Sequence, residues 1–205
     1  MARRTREEAA RTRQTLLAAG LDLFSRQGID TTTLKQVAQV AGVTHGALYW
    51  HFRNRADLLV QIHHAYELPF EAQYLEQCQG VQQDALKALR QYITGVLSEF
   101  ARDRQTQALY RVFYLAPISG ADLVELDVEL DANRALWLEQ LRFFLKQARK
   151  QKQIRKSACP QTLAFSLQVA LNGLLQEWLR SGSDFDLVAQ GRALLRLLLD
   201  GLPYK

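Results

Sequence analysis

The chain has 205 residues, 48% of them hydrophobic, with 26 Lys and Arg against 21 Asp and Glu for a net charge of +5. That composition excludes disorder, and the length allows one large core or two smaller ones. No run of about 18 uncharged apolar residues occurs and Met1-Ala2-Arg3-Arg4 leads into a charged, periodic segment, so neither membrane spanning nor secretion is expected and a cytoplasmic location is.

The charge is uneven. Residues 1–55 hold nine basic and four acidic side chains, whereas the remaining residues hold seventeen of each. A basic end on a neutral body suits a small segment that meets a polyanion, although a solvated surface without a partner has the same composition. Cys78 and Cys159 lack C-x-x-C spacing and a neighbouring His or acidic cluster, so they read as reduced thiols, with no metal and no cofactor expected.

Helical periodicity runs through the chain and no bounded β-branched run appears, which predicts an all-α fold. The first helix is expected to open at Thr5-x-x-Glu8 and to stop at Gly28, with Leu16, Leu17, Leu23 and Phe24 inward. Thr33-x-x-Gln36 opens a second, ended by Gly42. Thr44 opens a third of about two turns, and Asn54-x-x-Asp57 opens a fourth over roughly 55–78. Longer apolar helices follow near 83–102, 105–115 (closed by Pro117 and Gly120), 122–151, and from Pro160 to about Arg180. A final helix is capped at Ser183-Asp184, runs through Asp200 and is ended by Gly201 and Pro203. The boundaries divide the chain into a helix-turn-helix segment, 1–54, and a second domain, 55–205.

Two short helices joined by Ala41-Gly42-Val43-Thr44 have the form of a helix-turn-helix, whose second helix lies in the major groove of DNA. Gly46 and Ala47 let backbone approach closely, and Thr33, Thr44, Tyr49, Trp50 and His51 offer O–H or N–H groups suited to phosphate, with Arg55 adding charge. Leu48 and Phe52, spaced i, i+4, read as the buried face against Val37, Ala38 and Phe24. Seven residues cannot bury Leu48, Tyr49, Trp50 and Phe52 together, so some rings must face outward.

The segment LFSRQGIDTTTLKQVAQVAGVTHGALYWHFRNRADLL, residues 23–59, resembles the DNA-binding domain of the TetR family of bacterial repressors, in its AcrR- and TtgR-like subgroup that controls multidrug efflux. NGLLQEWLRSGSDFDL, residues 172–187, resembles the penultimate-helix region of that subgroup more weakly. The resemblance implies a homodimer of nine-helix subunits that binds a palindromic double-stranded operator and releases it when a ligand enters the C-terminal domain. It also implies operator contacts at Thr33, Thr44, His45, Gly46, Tyr49, Trp50, His51 and Arg55. Position 45 is often arginine in the subgroup; His45 has a shorter reach and commonly one donor at neutral pH.

An apolar ligand needs apolar and aromatic lining, and candidates at helical spacing are His63 and Glu67, Tyr92 and Val96, Tyr110 and Tyr114, Trp137 and Leu141, and Leu171 and Leu175. Most also suit an ordinary core. Glu67 is expected near the domain centre, where an unpaired carboxylate is costly, and it matches an acidic position for which the resemblance implies attraction of cationic drugs; an ion pair with Arg90 or Arg111 is the alternative. The inducer is therefore expected to be a hydrophobic or cationic small molecule. The last two helices are too apolar to stand alone, and Leu163, Leu167, Leu174, Trp178, Leu187, Leu194 and Leu198 are expected in a dimer interface. Two other classes stay open: a DNA-binding or architectural protein without inducer, and an enzyme using Glu67 with His63 and His64. The second lacks a nucleophile elbow, a phosphate loop or metal spacing.

Overall fold

Free amides at a helix start need acceptors, and the side chains that supply them set most of the boundaries in this chain. A computed structural model describes residues 2–115 and 120–200, with only the backbone of residues 2–5. Its helices are α1 Ala2–Gln27, α2 Leu34–Val40, α3 His45–His51, α4 Arg55–Ala65, α5 Phe70–Cys78, α6 Ala85–Arg102, α7 Arg104–Tyr114, α8 Val124–Lys150, α9 Pro160–Arg180 and α10 Leu187–Leu199. The described residues contain no strand, as the periodicity predicts.

Three local expectations are corrected. α1 starts before Thr5, which lies inside it. The predicted helix over 55–78 is broken into α4 and α5, so nine expected helices become ten segments. Tyr66, at φ −132° and ψ 141°, ends α4, and Pro69 lacks the N–H needed to carry a helix through and disfavours helical geometry at Leu68. The cap of α10 is Asp186, whose carboxylate accepts from the Ala189 amide at 2.9 Å. Ser183 instead closes α9, donating its amide to Trp178 O at 2.9 Å with φ +69°. The expected breakers Pro117, Gly201 and Pro203 lie outside the described residues.

The chain divides into two compact units, residues 1–68 with 108–127, and residues 69–107 with 128–205. In the first, Leu16, Leu17 and Phe24 of α1, Val37 and Ala38 of α2, Leu48 and Phe52 around α3, and Leu58, Leu59 and Ile62 of α4 are buried together. In the second, α6 buries Leu89, Tyr92, Ile93, Val96, Leu97 and Phe100, and α10 packs against it. Gly191 permits that approach, since a Cβ there would stand 2.1 Å from Leu97 Cδ1.

The start of α6 shows how tightly the second unit is tied. The Ala85 amide donates to Gln151 Oε1 at 2.9 Å, Leu86 to Gln153 Oε1 at 3.0 Å and Lys87 to Asp84 Oδ1 at 2.9 Å. Gln151 Nε2 also donates to Val81 O at 2.7 Å, and Gln153 Nε2 to Asp84 Oδ1 at 2.7 Å. The two glutamines are presented by a reversal after α8, with Lys152 at φ +59° and the Gln153 amide bonded to Ala148 O at 2.9 Å. The Lys87 amide is the main cause holding the Asp84 carboxyl below its usual value, so its stabilisation is present above the unfolded pKa and lost as pH falls through the folded one. Gln151→Ala and Gln153→Ala are each expected to cost about 1–2 kcal/mol in urea unfolding, because an amide is left without its acceptor. Lys152→Gly is expected to be neutral or stabilising by up to about 1 kcal/mol, since glycine occupies the left-handed region without strain.

Candidate nucleic-acid interface and apolar cavity

The two short helices of the first unit are built by reciprocal caps. The Thr33 hydroxyl accepts from the Gln36 amide at 3.3 Å, and Gln36 Oε1 accepts from the Thr33 amide at 2.8 Å. After Ala41 the chain turns at Gly42, φ +68°, and the Val43 amide reaches back to Ala38 O at 3.0 Å. Thr44 then opens α3, its hydroxyl accepting from the Ala47 amide at 3.2 Å. Leu48 and Phe52 are buried, which fixes the rotation of α3 about its own axis.

That rotation leaves the other face in solvent. Tyr49 is 51% and Trp50 74% exposed, and Thr33, Thr44, His45 and Gly46 are exposed with them. The rings brace one another. His45 meets Tyr49 edge-on with centroids 4.7 Å apart, and Trp50 meets His51 in the same way at 4.6 Å. No side-chain atom stands within 4 Å of a Cβ built on Gly46, so that surface is open. His51 is half-buried, and burial, helped by the Arg13 charge, holds its pKa below the usual value, so it presents a neutral ring at neutral pH.

Arg55 behaves differently from its expected role as a surface cation. Its guanidinium donates to the carbonyls of Ile29 at 3.0 Å and Asp30 at 3.2 Å and pairs with the Asp30 carboxylate at 3.5 Å. It therefore ties α4 to the loop that leads into Thr33. Sequence reasoning overlooked Arg13, which donates to Gln61 Oε1 and lies 5.9 Å from the Phe52 ring centroid, pinning α1 to α4 and to the end of α3. Only its place in a basic run marks it in the sequence. Lys35 and Arg53 are exposed near the same helices.

In the second unit a narrow recess is lined by Tyr92, Ile93, Val96, Leu97, Trp137, Leu171 and Leu175. Five of the expected ligand residues thus converge: Tyr92, Val96, Trp137, Leu171 and Leu175. Ile93 and Leu97 complete the wall and belong to the apolar stripe of α6. Leu141 is buried but does not line the cavity. His63, Glu67, Tyr110 and Tyr114 belong to the first unit. There His63 meets Phe113 edge-on at 5.4 Å, and Tyr110 stacks on Tyr114 at 5.4 Å. Glu67 corrects its expectation, because it is exposed just past the end of α4 and bears no burial cost. Arg90, one of its suggested partners, pairs with Asp200 at 2.6 Å.

The expected dimer residues also divide. Leu167, Trp178 and Leu187 are buried in the subunit's own core, which corrects their assignment to an outer surface. Leu163, Leu174, Leu194 and Leu198 are half-buried. On α9 and α10 the exposed large apolar side chains are Phe165 at 57% and Val169 at 54%, one turn apart on α9, and Leu197 at 79% on α10.

Comparison with known proteins accords with both parts. Residues 16–62 match the model described as bacterial regulatory proteins, tetR family, and residues 84–204 match the MAATS-type transcriptional repressor, C-terminal region. The HTH-type transcriptional regulator AcrR of Shigella flexneri is 32% identical over 204 residues, covering 98% of this chain and 93% of AcrR. The HTH-type transcriptional repressor BepR of Brucella suis is 28% identical, with 98% and 96% covered. The crystal structure of NalD, the secondary repressor of the MexAB-OprM multidrug efflux pump in Pseudomonas aeruginosa, superposes with a TM-score of 0.77 at 25% identity, covering 96% of this chain and 98% of that one. With a capped helix-turn-helix at one end, an all-α second unit and relatives that match over nearly its whole length, the chain belongs to the TetR family of bacterial regulatory proteins.

Proposed function

We propose that this protein is a ligand-responsive transcriptional repressor that binds a palindromic operator as a homodimer and is released by a small hydrophobic molecule, controlling a multidrug efflux operon. The observation that carries the DNA-binding part is the exposed Tyr49–Trp50 face on a helix whose opposite side is anchored by Leu48 and Phe52. A tryptophan 74% exposed is costly on a free surface and well used against a phosphate backbone. In this reading Thr33, Thr44, Tyr49, Trp50 and His51 contact phosphates, Gly46 admits the backbone, and His45 reaches a base edge. Arg55 acts as a positioning residue through the loop before α2.

Residues 1–54 would carry these contacts, and 55–205 would take ligand and partner. The role in efflux control rests on the relatives named for it, NalD above all. The cavity wall holds no carboxylate, which favours a hydrophobic over a cationic occupant. The one-turn half-site spacing of a two-fold operator makes binding sensitive to small changes in the separation of two recognition helices, which is how an occupant would lower affinity. For the homodimer, Phe165 and Val169 are the apolar residues that a two-fold partner would cover.

Tyr49→Ala and Trp50→Ala are each expected to weaken binding to DNA from upstream of the protein's own gene by about tenfold in fluorescence anisotropy, the loss of roughly one hydrogen bond and its stacking, with an unchanged far-UV spectrum. Full affinity in both variants would remove α3 as the recognition helix. Arg55→Ala is expected to lower stability by about 1–2 kcal/mol as well as operator affinity, and Arg55→Lys to recover little of either, since a single ammonium cannot hold both carbonyls in the same fork. Phe165→Glu should shift the protein toward monomer in sedimentation equilibrium while its helical content stays constant; a dimer undisturbed by that charge would place the interface elsewhere.

A further inference from the structure

The neutrality of residues 56–205 is a cancellation of two blocks. From Arg142 to Pro160 the chain reads RFFLKQARKQKQIRKSACP, with seven basic side chains and no acidic one. The rest of residues 56–205 holds ten basic and seventeen acidic side chains, so one short stretch stands strongly positive against an acidic background.

The fold gathers these cations at one end of α8. That helix buries Leu141, Phe144, Leu145 and Ala148, and at about 100° per residue Lys146, Arg149 and Lys150 fall within about 100° of one another on its solvent side. All three are exposed, as are Lys152 and Lys156 in the segment that follows. The reversal keeps Lys152 beside them, because its amide donates to Arg149 O at 3.1 Å. The far end of the loop returns to the same place: the Cys159 thiol, held below its usual value mainly by the Thr162 amide, also feels the Arg149 charge.

This cluster differs from the other surface cations of the unit. Arg102, Arg134 and Arg180 are each closed by a carboxylate three residues away, Glu99, Asp131 and Glu177. Lys146, Arg149, Lys150, Lys152 and Lys156 form no ion pair with a carboxylate among the described residues. The helix dipole accounts for the last-turn pair Arg149 and Lys150, and not for Lys146 a turn earlier or for Lys152 and Lys156 beyond the helix end. Lys152 also holds a left-handed backbone, φ +59°, where glycine would be free of strain.

The surroundings of the charges select among polyanions. Phe143 is half-buried and Phe144 buried, so the stretch has no exposed ring on which single-stranded bases could stack. Its aliphatic side chains Leu145 and Ile154 are buried, so nothing in it would enter the acyl region of a lipid surface. What is left is charged donors on long stems, the set that meets the phosphates of a duplex. We infer that the second unit carries its own contact for double-stranded DNA, in which Lys146, Arg149, Lys150, Lys152 and Lys156 bind backbone phosphates without reading sequence. This goes beyond the repressor reading, which places DNA contacts in residues 1–54, and does not depend on it. Its effect is salt-sensitive affinity that retains the protein on any duplex.

Fluorescence anisotropy of the full chain on a random-sequence duplex of about 24 base pairs, between about 50 and 200 mM salt, tests it. Two variants of equal net charge are compared: Lys146→Gln, Lys150→Gln and Lys156→Gln together in the patch, and Arg102→Gln, Arg134→Gln and Arg180→Gln together among the paired arginines. The patch variant is expected to bind about tenfold more weakly at about 100 mM salt, with a plot of log affinity against log salt flatter by about 2–3, since each phosphate contact contributes about 0.9. The charge-matched variant is expected to keep the slope within about 0.5. Lys152→Gly is expected to flatten the slope by about 1 while its urea midpoint holds or rises, and Lys152→Arg to retain the slope, a separation that a purely structural lysine would not show. An unchanged slope in the patch variant, or an equal loss in the charge-matched one, would overturn the inference. So would vesicles of phosphatidylglycerol and phosphatidylcholine in equal parts that bind the unaltered protein more tightly than the duplex at equal phosphate concentration and lose it in the patch variant, because the surface would then belong to lipid. In a protein that also carries Tyr49→Ala and Trp50→Ala the difference between the two variants is expected to persist. Its disappearance there would overturn a separate contact and leave α3 as the recognition helix.

Discussion

The burial of Leu48 and Phe52 is the constraint from which the exposed aromatic face of α3 follows. A helix of seven residues has two turns, and once an i, i+4 pair is committed to the core its rotation is set to within a few tens of degrees. Tyr49 and Trp50, each next to a buried position, then have nowhere to go but outward. Ring packing between His45 and Tyr49 and between Trp50 and His51 holds those side chains in a fixed array. A surface assembled in this way loses little rotamer freedom on meeting a ligand, which is how rigid aromatic contacts gain affinity.

Charge in this region is divided between holding the scaffold and facing solvent. Arg13 and Arg55 belong to the basic excess that marks the first quarter of the chain, yet both spend their guanidinium groups on internal acceptors, Gln61 in one case and the Ile29 and Asp30 carbonyls in the other. The fork geometry of arginine suits this work, since it bonds two acceptors at once and anchors a loop that has no regular structure of its own. In the proposed function, attraction to a polyanion would fall to exposed side chains such as Lys35 and Arg53. Net charge gives the sign of the partner, and geometry decides which charges reach it.

The features legible in the sequence were those set by local chemistry. Thr33, Thr44, Asn54 and the turn at Gly42 act on amides three residues away or less, and each stands where its pattern placed it. The cavity was partly legible because Tyr92 with Val96 and Leu171 with Leu175 share helix faces; pairing the two faces required knowing which helices pack together. Glu67 misleads because the 55–78 stretch has the pattern of one helix. The break at Tyr66 to Pro69 takes the carboxylate out of any helical register, and its expected burial disappears with it. Gln151 and Gln153 carried no signal at all, since their partners at the start of α6 lie more than sixty residues away in sequence.

The last two helices show why an apolar count cannot identify an interface. On α9 the residues Leu167, Leu171, Leu175 and Trp178 recur at three and four and form one stripe, and that stripe is buried within the subunit. Phe165 and Val169 sit two residues out of phase with it, about 200° round a helix that advances 100° per residue, so they emerge on the opposite side. A helix apolar on two opposed faces needs two partners, and the described residues of the subunit supply only one of them. Gly173 continues the outer row at the same spacing with nothing within 4 Å of its Cβ position. In the proposed dimer a two-fold axis brings this row against itself, and a large ring and a bare backbone one helical turn beyond Val169 are the complementary shapes that such self-pairing requires.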